Sequence, residues 1–109
     1  ELTAEEIKKM KSRKYNHYKV LKLVPDLLKQ GGQIVDVREV DEFKTAHKDG
    51  SINIPLDSLQ SRMRELDKTK PIIFCCASGS RSGLARRTLI SNGFDNVYNA
   101  GSWSSLRKF

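Results

Sequence analysis

Short apolar runs alternate along this chain with longer stretches whose apolar residues recur every three or four positions. Gln33-Ile34-Val35-Asp36-Val37 is β-branched and reads as a strand. Ser51-Ile52-Asn53-Ile54 reads as a second strand, entered through the Asp49-Gly50 turn and closed by Pro55. Ile72 to Cys75 is continuously apolar, which predicts a central strand buried on both faces. Val97-Tyr98 reads as an edge or near-edge strand. Helices are expected between them. One begins at Pro25, a residue suited to a first turn, and stops at Gly31-Gly32, with Leu27 and Leu28 facing the core. Val40 to His47 forms a short helix, and Leu56, Leu59, Met63 and Leu66 share one face of another. Ser82 to Asn92 forms a helix with Leu84, Thr88 and Leu89 inward and Gly93 at its C-terminal cap, and Trp103 to Lys108 a last short one. Glu1 to Lys14 differs in character. Thr3-Ala4-Glu5-Glu6 has the form of a capping box, so residues 1–14 are expected as a helical or frayed extension ahead of one domain over residues 15–109.

Strands that alternate with helices place the chain in the α/β class, with a central, mostly parallel sheet of about five strands and helices on both faces. In such sheets ligands bind outside the carboxyl ends of the strands. That directs attention to the loop after Ile72–Cys75.

Composition narrows the function classes. The chain has 109 residues, enough for one domain with a small core, and its 38% hydrophobic and 30% charged content is that of a globular protein. No apolar stretch approaches the ~20 residues of a membrane span and no secretory signal is readable, so a cytoplasmic location and no membrane partner are expected. The net charge of +7 favours anionic partners. The basic residues are scattered and no nucleic-acid-binding motif is readable, which argues against nucleic acid. Two cysteines cannot build a disulfide framework or a four-thiolate metal site, and no metal or organic cofactor is expected.

Those two cysteines are neighbours, Cys75 and Cys76, and on a strand they point to opposite faces. Cys76 opens the loop Cys76-Ala77-Ser78-Gly79-Ser80-Arg81-Ser82, which leads from a strand into a helix. A thiol is a weak nucleophile until deprotonated, and a helix N-terminus favours the anion. Ala77, Ser78, Gly79 and Ser80 are small enough for their amides to turn inward around a sulfur. Gly79 admits an unusual backbone angle, the three serines add hydroxyls, and Arg81 adds a fixed charge to hold an anion or steady the loop. Each part stabilises negative charge at Cys76, as a thiolate or a persulfide needs. Cys75 reads as an ordinary small buried residue, since a vicinal disulfide is strained. His17 carries no readable signal.

With these residues in view the chain resembles a single-domain rhodanese over about residues 22–108. The loop matches C-x-x-G-x-R-S. Asp36-Val37-Arg38 with Glu42-Phe43 matches D-V-R-x-x-x-E-F, and His47 to Pro55 is similar to the block G-H-I-x-G-A-x-N-I-P. Tyr98 to Trp103 is similar to the closing stretch that usually carries two glycines before an aromatic. Ala46, Lys48 and Ala100 depart from the pattern. The resemblance implies a rhodanese-like fold and a sulfurtransferase. Cys76 would take a sulfane sulfur from a small anionic donor such as thiosulfate, become a persulfide, and yield it to cyanide in vitro or to a thiol or protein acceptor in the cell. The loop residues Ala77, Ser78, Gly79, Ser80, Arg81 and Ser82 would bind substrate, with Asp36, Arg38, His47 and Trp103 in support. Two rivals share the fold: a persulfide carrier or docking module that does not turn over, and a phosphatase or arsenate reductase. The latter relatives have one more residue between cysteine and arginine than the four found here.

Overall fold

The computed structural model describes residues 13–109. Helix α1 (Arg13–Lys29) leads into β1 (Gln33–Asp36), α2 (Val40–Thr45) and β2 (Ile52–Asn53). A broken helical segment over 56–65 contains α3 (Leu59–Arg62), and β3 (Ile72–Cys76), α4 (Ser80–Ser91), β4 (Val97–Ser102) and a 3-10 turn (Trp103–Leu106) complete the chain. Among the described residues four strands pair in parallel, in the order β2-β1-β3-β4, one fewer than the expected five or so.

Two apolar clusters cover the two faces of the sheet, and β3 shows why. Ile72, Phe74 and Cys76 point into one, with Val35, Val37, Ile54, Leu59, Ala85 and Leu89. Ile73 and Cys75 point into the other, with Val24, Leu27, Ile34, Ala100 and Leu106. The period-two alternation of a strand sends the two adjacent thiols to opposite sides. All five residues of β3 are buried, as a strand covered on both faces requires.

Three expectations need correction. The first helix does not start at Pro25; α1 passes through it. Val20, Leu21, Val24, Leu27 and Leu28 form one stripe against the second cluster, and that burial carries the helix past a proline that lies on its exposed face. It ends at the glycines as expected, with Gly31 at φ +86°. Leu84 is not inward but 45% exposed. Helix α4 begins two residues earlier than expected and turns Ser82, Ala85 and Leu89 to the core, so Leu84 lies about 100° around the helix from Ala85. The segment from Leu56 to Leu66 keeps its apolar face, with Leu59 and Leu66 buried, but alternates 3-10 and α turns instead of forming one helix. The extension expected over residues 1–14 lies outside the described residues up to 12, and Arg13 already belongs to α1. No helix among the described residues is long and apolar enough to cross a membrane.

Candidate active site

Strand β3 ends at Cys76, and three residues later Gly79 caps α4 with φ +104°, a region closed to most side chains. This turn bends the chain back over the sulfur. The Gly79 amide donates to Cys76 Sγ at 3.0 Å and the Ser82 amide at 3.4 Å, while Ser82 Oγ lies 3.3 Å away. Cys76 itself is 0% exposed, whereas Ala77, Ser78 and Ser80 on the crest above it are exposed. The thiol therefore sits just under the loop, at the positive end of a helix.

Two opposing effects set its acidity. Burial pushes the Cys76 thiol up. The Ser82 hydroxyl and the amides of Ser82, Gly79 and Ser78 pull it down, and the net result lies below the ordinary thiol value. Cys75 shows the alternative. Buried in hydrocarbon with the negative Asp36 nearby, its thiol is driven far upward and stays protonated.

Arg81 does not point freely into a donor site. Its guanidinium grips Glu42 of α2 through two contacts, 2.7 and 3.1 Å, and the Glu42 carboxyl is held down to about 2. The first cause is that hydrogen bond, followed by the Glu39 amide, which Glu42 also caps at 3.0 Å. The loop is thus tied to α2. The Asp36–Arg38 pair lies deeper: Arg38 donates from Nε and Nη2 to both Asp36 oxygens at 2.8–3.0 Å and from Nη2 to the Ala46 carbonyl at 2.8 Å. Both side chains are buried, so the pair fixes the β1–α2 turn and the start of the His47 loop. The guanidinium of Arg38 also covers the Trp103 ring at 4.7 Å, and Arg107 covers it at 5.2 Å. His47 is exposed, stacked on Phe43 at 3.8 Å and bonded through Nδ1 to the Phe43 carbonyl at 2.8 Å. It has the surroundings of a scaffold residue.

Three residues near the loop drew no role from the sequence. Glu42 stood in a motif without a partner; the opposite charge of Arg81 was the only signal. Asn99 was hidden by an irregularity. Between the pairs Phe74↔Asn99 and Cys76↔Ser102, β4 has two residues, Ala100 and Gly101, where β3 has only Cys75. This bulge, with Gly101 at φ +82°, turns the Asn99 amide toward the loop. There Oδ1 accepts from Ser82 Oγ at 2.7 Å and from the Gly101 amide at 3.0 Å, and Nδ2 donates to the Gly79 carbonyl at 3.0 Å. His17 of α1 is the third. An added Cβ on Gly79 would stand 2.8 Å from its Nε2, and one on Gly101 2.7 Å from its Nδ1. The imidazole fills the space that these two glycines leave open. Among the described residues no cluster of His, Cys, Asp and Glu has the arrangement of a metal site.

A family model described as the Rhodanese-like domain matches residues 20–108. The chain is 43% identical over 67 residues to the uncharacterized protein YqhL of Bacillus subtilis, covering 62% of this chain and 53% of that protein, so it spans about half the length of that relative. It is 32% identical over 84 residues to the thiosulfate sulfurtransferase GlpE of Shewanella oneidensis, covering 77% of this chain and 83% of that one. A solved rhodanese with anions from E. coli superposes with a TM-score of 0.64 at 32% identity, over 68% of this chain and 89% of that chain.

Proposed function

The chain belongs to the rhodanese-like domain family, and from that premise we propose that it is a sulfurtransferase working through a persulfide on Cys76. The Cys76 thiolate attacks the sulfane sulfur of thiosulfate. The S–S bond of the donor breaks, and sulfite leaves with the electron pair. The outer sulfur, now carrying the negative charge, rests among the loop amides. A nucleophilic acceptor, cyanide or a thiolate, then attacks that sulfur and returns the Cys76 thiolate, giving thiocyanate or a new persulfide. The two half-reactions share one covalent intermediate, so ping-pong kinetics are expected.

The observation that carries this reading is the sulfur beneath the Gly79 and Ser82 amides at the head of α4. Such donors stabilise a thiolate before the donor arrives and an anionic outer sulfur afterwards. The span of four residues between Cys76 and Arg81 suits one sulfur atom better than a tetrahedral oxyanion. The Glu42 pair supports a bracing role for Arg81. The excess positive charge would draw the anionic donor inward. Both cysteines are free, which suits a reducing compartment such as the cytoplasm.

Intact mass after incubation with thiosulfate tests the reading. The parent gains one sulfur and the Cys76→Ser variant gains none, and cyanide then removes the sulfur as thiocyanate. A parent that takes up no sulfur from thiosulfate or polysulfide sinks the proposal. Uptake without turnover makes the protein a carrier, and hydrolysis of a phosphate ester makes it a phosphatase.

A further inference from the structure

The hydroxyl of Ser82 touches two groups that make opposite demands on its one proton. Cys76 Sγ lies 3.3 Å away on one side, and Asn99 Oδ1 lies 2.7 Å away on the other. The backbone settles which end of the Asn99 amide faces Ser82. The Gly101 amide, which can only donate, meets one end at 3.0 Å, and the Gly79 carbonyl, which can only accept, meets the other at 3.0 Å. The end beside Ser82 and Gly101 is therefore the oxygen. An amide oxygen only accepts, so the short contact requires Ser82 to donate its proton to Asn99. Ser82 then presents a lone pair to the sulfur, which suits a neutral thiol that donates S–H and not an anion.

We propose that Asn99 is a positioning residue that tunes the acidity of Cys76 by competing with the sulfur for the Ser82 proton. In the thiol state the order is Cys76 S–H to Ser82 Oγ, and Ser82 O–H to Asn99 Oδ1. When the thiol gives its proton to solvent, the Ser82 hydroxyl rotates, breaks its bond to Asn99 and donates to the thiolate. Asn99 Oδ1 keeps the Gly101 amide, so no buried acceptor is left bare. The Ser82 hydroxyl can make the thiol more acidic only in the rotated state, and it reaches that state by giving up a hydrogen bond. Gly83 leaves room for the Asn99 amide at this position: a Cβ there would press on Asn99 Nδ2 at 3.2 Å. The proposal rests on the sulfur-transfer reading for its consequence, a nucleophile whose acidity Asn99 holds in check. It does not rest on it for its test.

The charged and titratable groups around the sulfur are Arg81 with Glu42 on α4 and α2, the Asp36–Arg38 pair at the end of β1, Cys75 on β3 and His17 on α1. All are common to the variants compared. The test is a cycle of parent, Ser82→Ala, Asn99→Ala and the double variant, with the Cys76 titration read from the pH dependence of its alkylation by iodoacetamide. A charge-assisted hydrogen bond is worth about one to two pH units. Ser82→Ala therefore raises the titration midpoint by about one to two units when Asn99 is absent, and by less than about half that when Asn99 is present. Removing Asn99 also slackens the Gly79 carbonyl, but it does so in both backgrounds and cancels in the cycle. An equal or smaller effect of Ser82→Ala in the Asn99→Ala background defeats the proposal. If Asn99→Ala does not fold, the S–H stretching band decides, taken at acid pH as parent minus Cys76→Ala. A band shifted down in frequency, which Ser82→Ala moves up, is the expected result; a band at the free-thiol frequency in the parent rejects it. None of these outcomes depends on sulfur transfer, so failure here and failure of the enzyme reading are separate.

Discussion

Adding a single methyl group at Gly79 tests the architecture of the loop. Gly79 has φ +104° and ψ −8°, outside the region alanine adopts without strain, and holding alanine there costs about 1–3 kcal/mol. The new Cβ also meets the His17 ring, 2.8 Å from Nε2 and 3.2 Å from Nδ1. Overpacking of this kind costs about 1–3 kcal/mol more where the neighbour cannot move, and Gly101 confines the same ring from the other side. Alanine restricts the unfolded chain, which offsets about 0.4–1 kcal/mol. The expected net loss for Gly79→Ala is about 1–5.5 kcal/mol, to be set against the ~5–15 kcal/mol that holds a domain together. Urea unfolding of the parent, Gly79→Ala, His17→Ala and the double variant separates the two parts. The backbone strain persists in the double variant, and the steric part, about 1–3 kcal/mol, is relieved by losing the ring. Cys76 alkylation also slows in Gly79→Ala, because the 3.0 Å amide donor moves. A Gly79→Ala variant within about 0.5 kcal/mol of the parent would falsify the strain argument. A cycle without coupling would refute the placement of His17.

Further outcomes rest on the same geometry. In the native protein one thiol reacts with iodoacetamide, with a midpoint below that of an ordinary cysteine. Cys76→Ser abolishes the reaction and Cys75→Ala leaves it unchanged, as counted by mass. Glu42 has a folded value of about 2 against an ordinary 4.5, so its bond to Arg81 stabilises the fold fully above pH 4.5 and is lost as the pH falls from there toward 2. The pair is about a third exposed, so solvent screening limits this to about 1 kcal/mol or less; acid unfolding of Glu42→Gln should lack that slope. Asp36→Asn leaves the buried Arg38 charge without its partner and costs about 3–5 kcal/mol in urea unfolding. A loss below about 1 kcal/mol there would mean that water reaches the pair.

How far the site was legible depended on the range of the interaction. Cys76, the small residues after it and the glycine that turns the loop are consecutive, and the strand-to-helix pattern around them fixes which end of the sheet they occupy. The opposite fates of Cys75 and Cys76 come from strand alternation alone. Pro25 was misread because its local preference for a first turn competes with a five-residue apolar stripe, and burial of the stripe prevails. Leu84 was misread because the loop, not the apolar pattern, sets the rotation of α4: Ser82 has to face the sulfur. Glu42 and Arg81 are 39 positions apart, and nothing in either neighbourhood announces the other.

The order of residues alone settled an α/β chain with a parallel sheet and one thiol placed at the head of a helix, because hydrophobic period and turn chemistry are properties of neighbours. Tertiary structure alone decided what surrounds that thiol. The bulge in β4 brings Asn99 to the Ser82 proton, α1 lays His17 against two glycines, and α2 offers Glu42 to Arg81. These contacts join segments whose separation along the chain carries no trace of their meeting. They form only when the two apolar faces of the sheet are covered, and the packing that covers them sets the distances on which the chemistry depends.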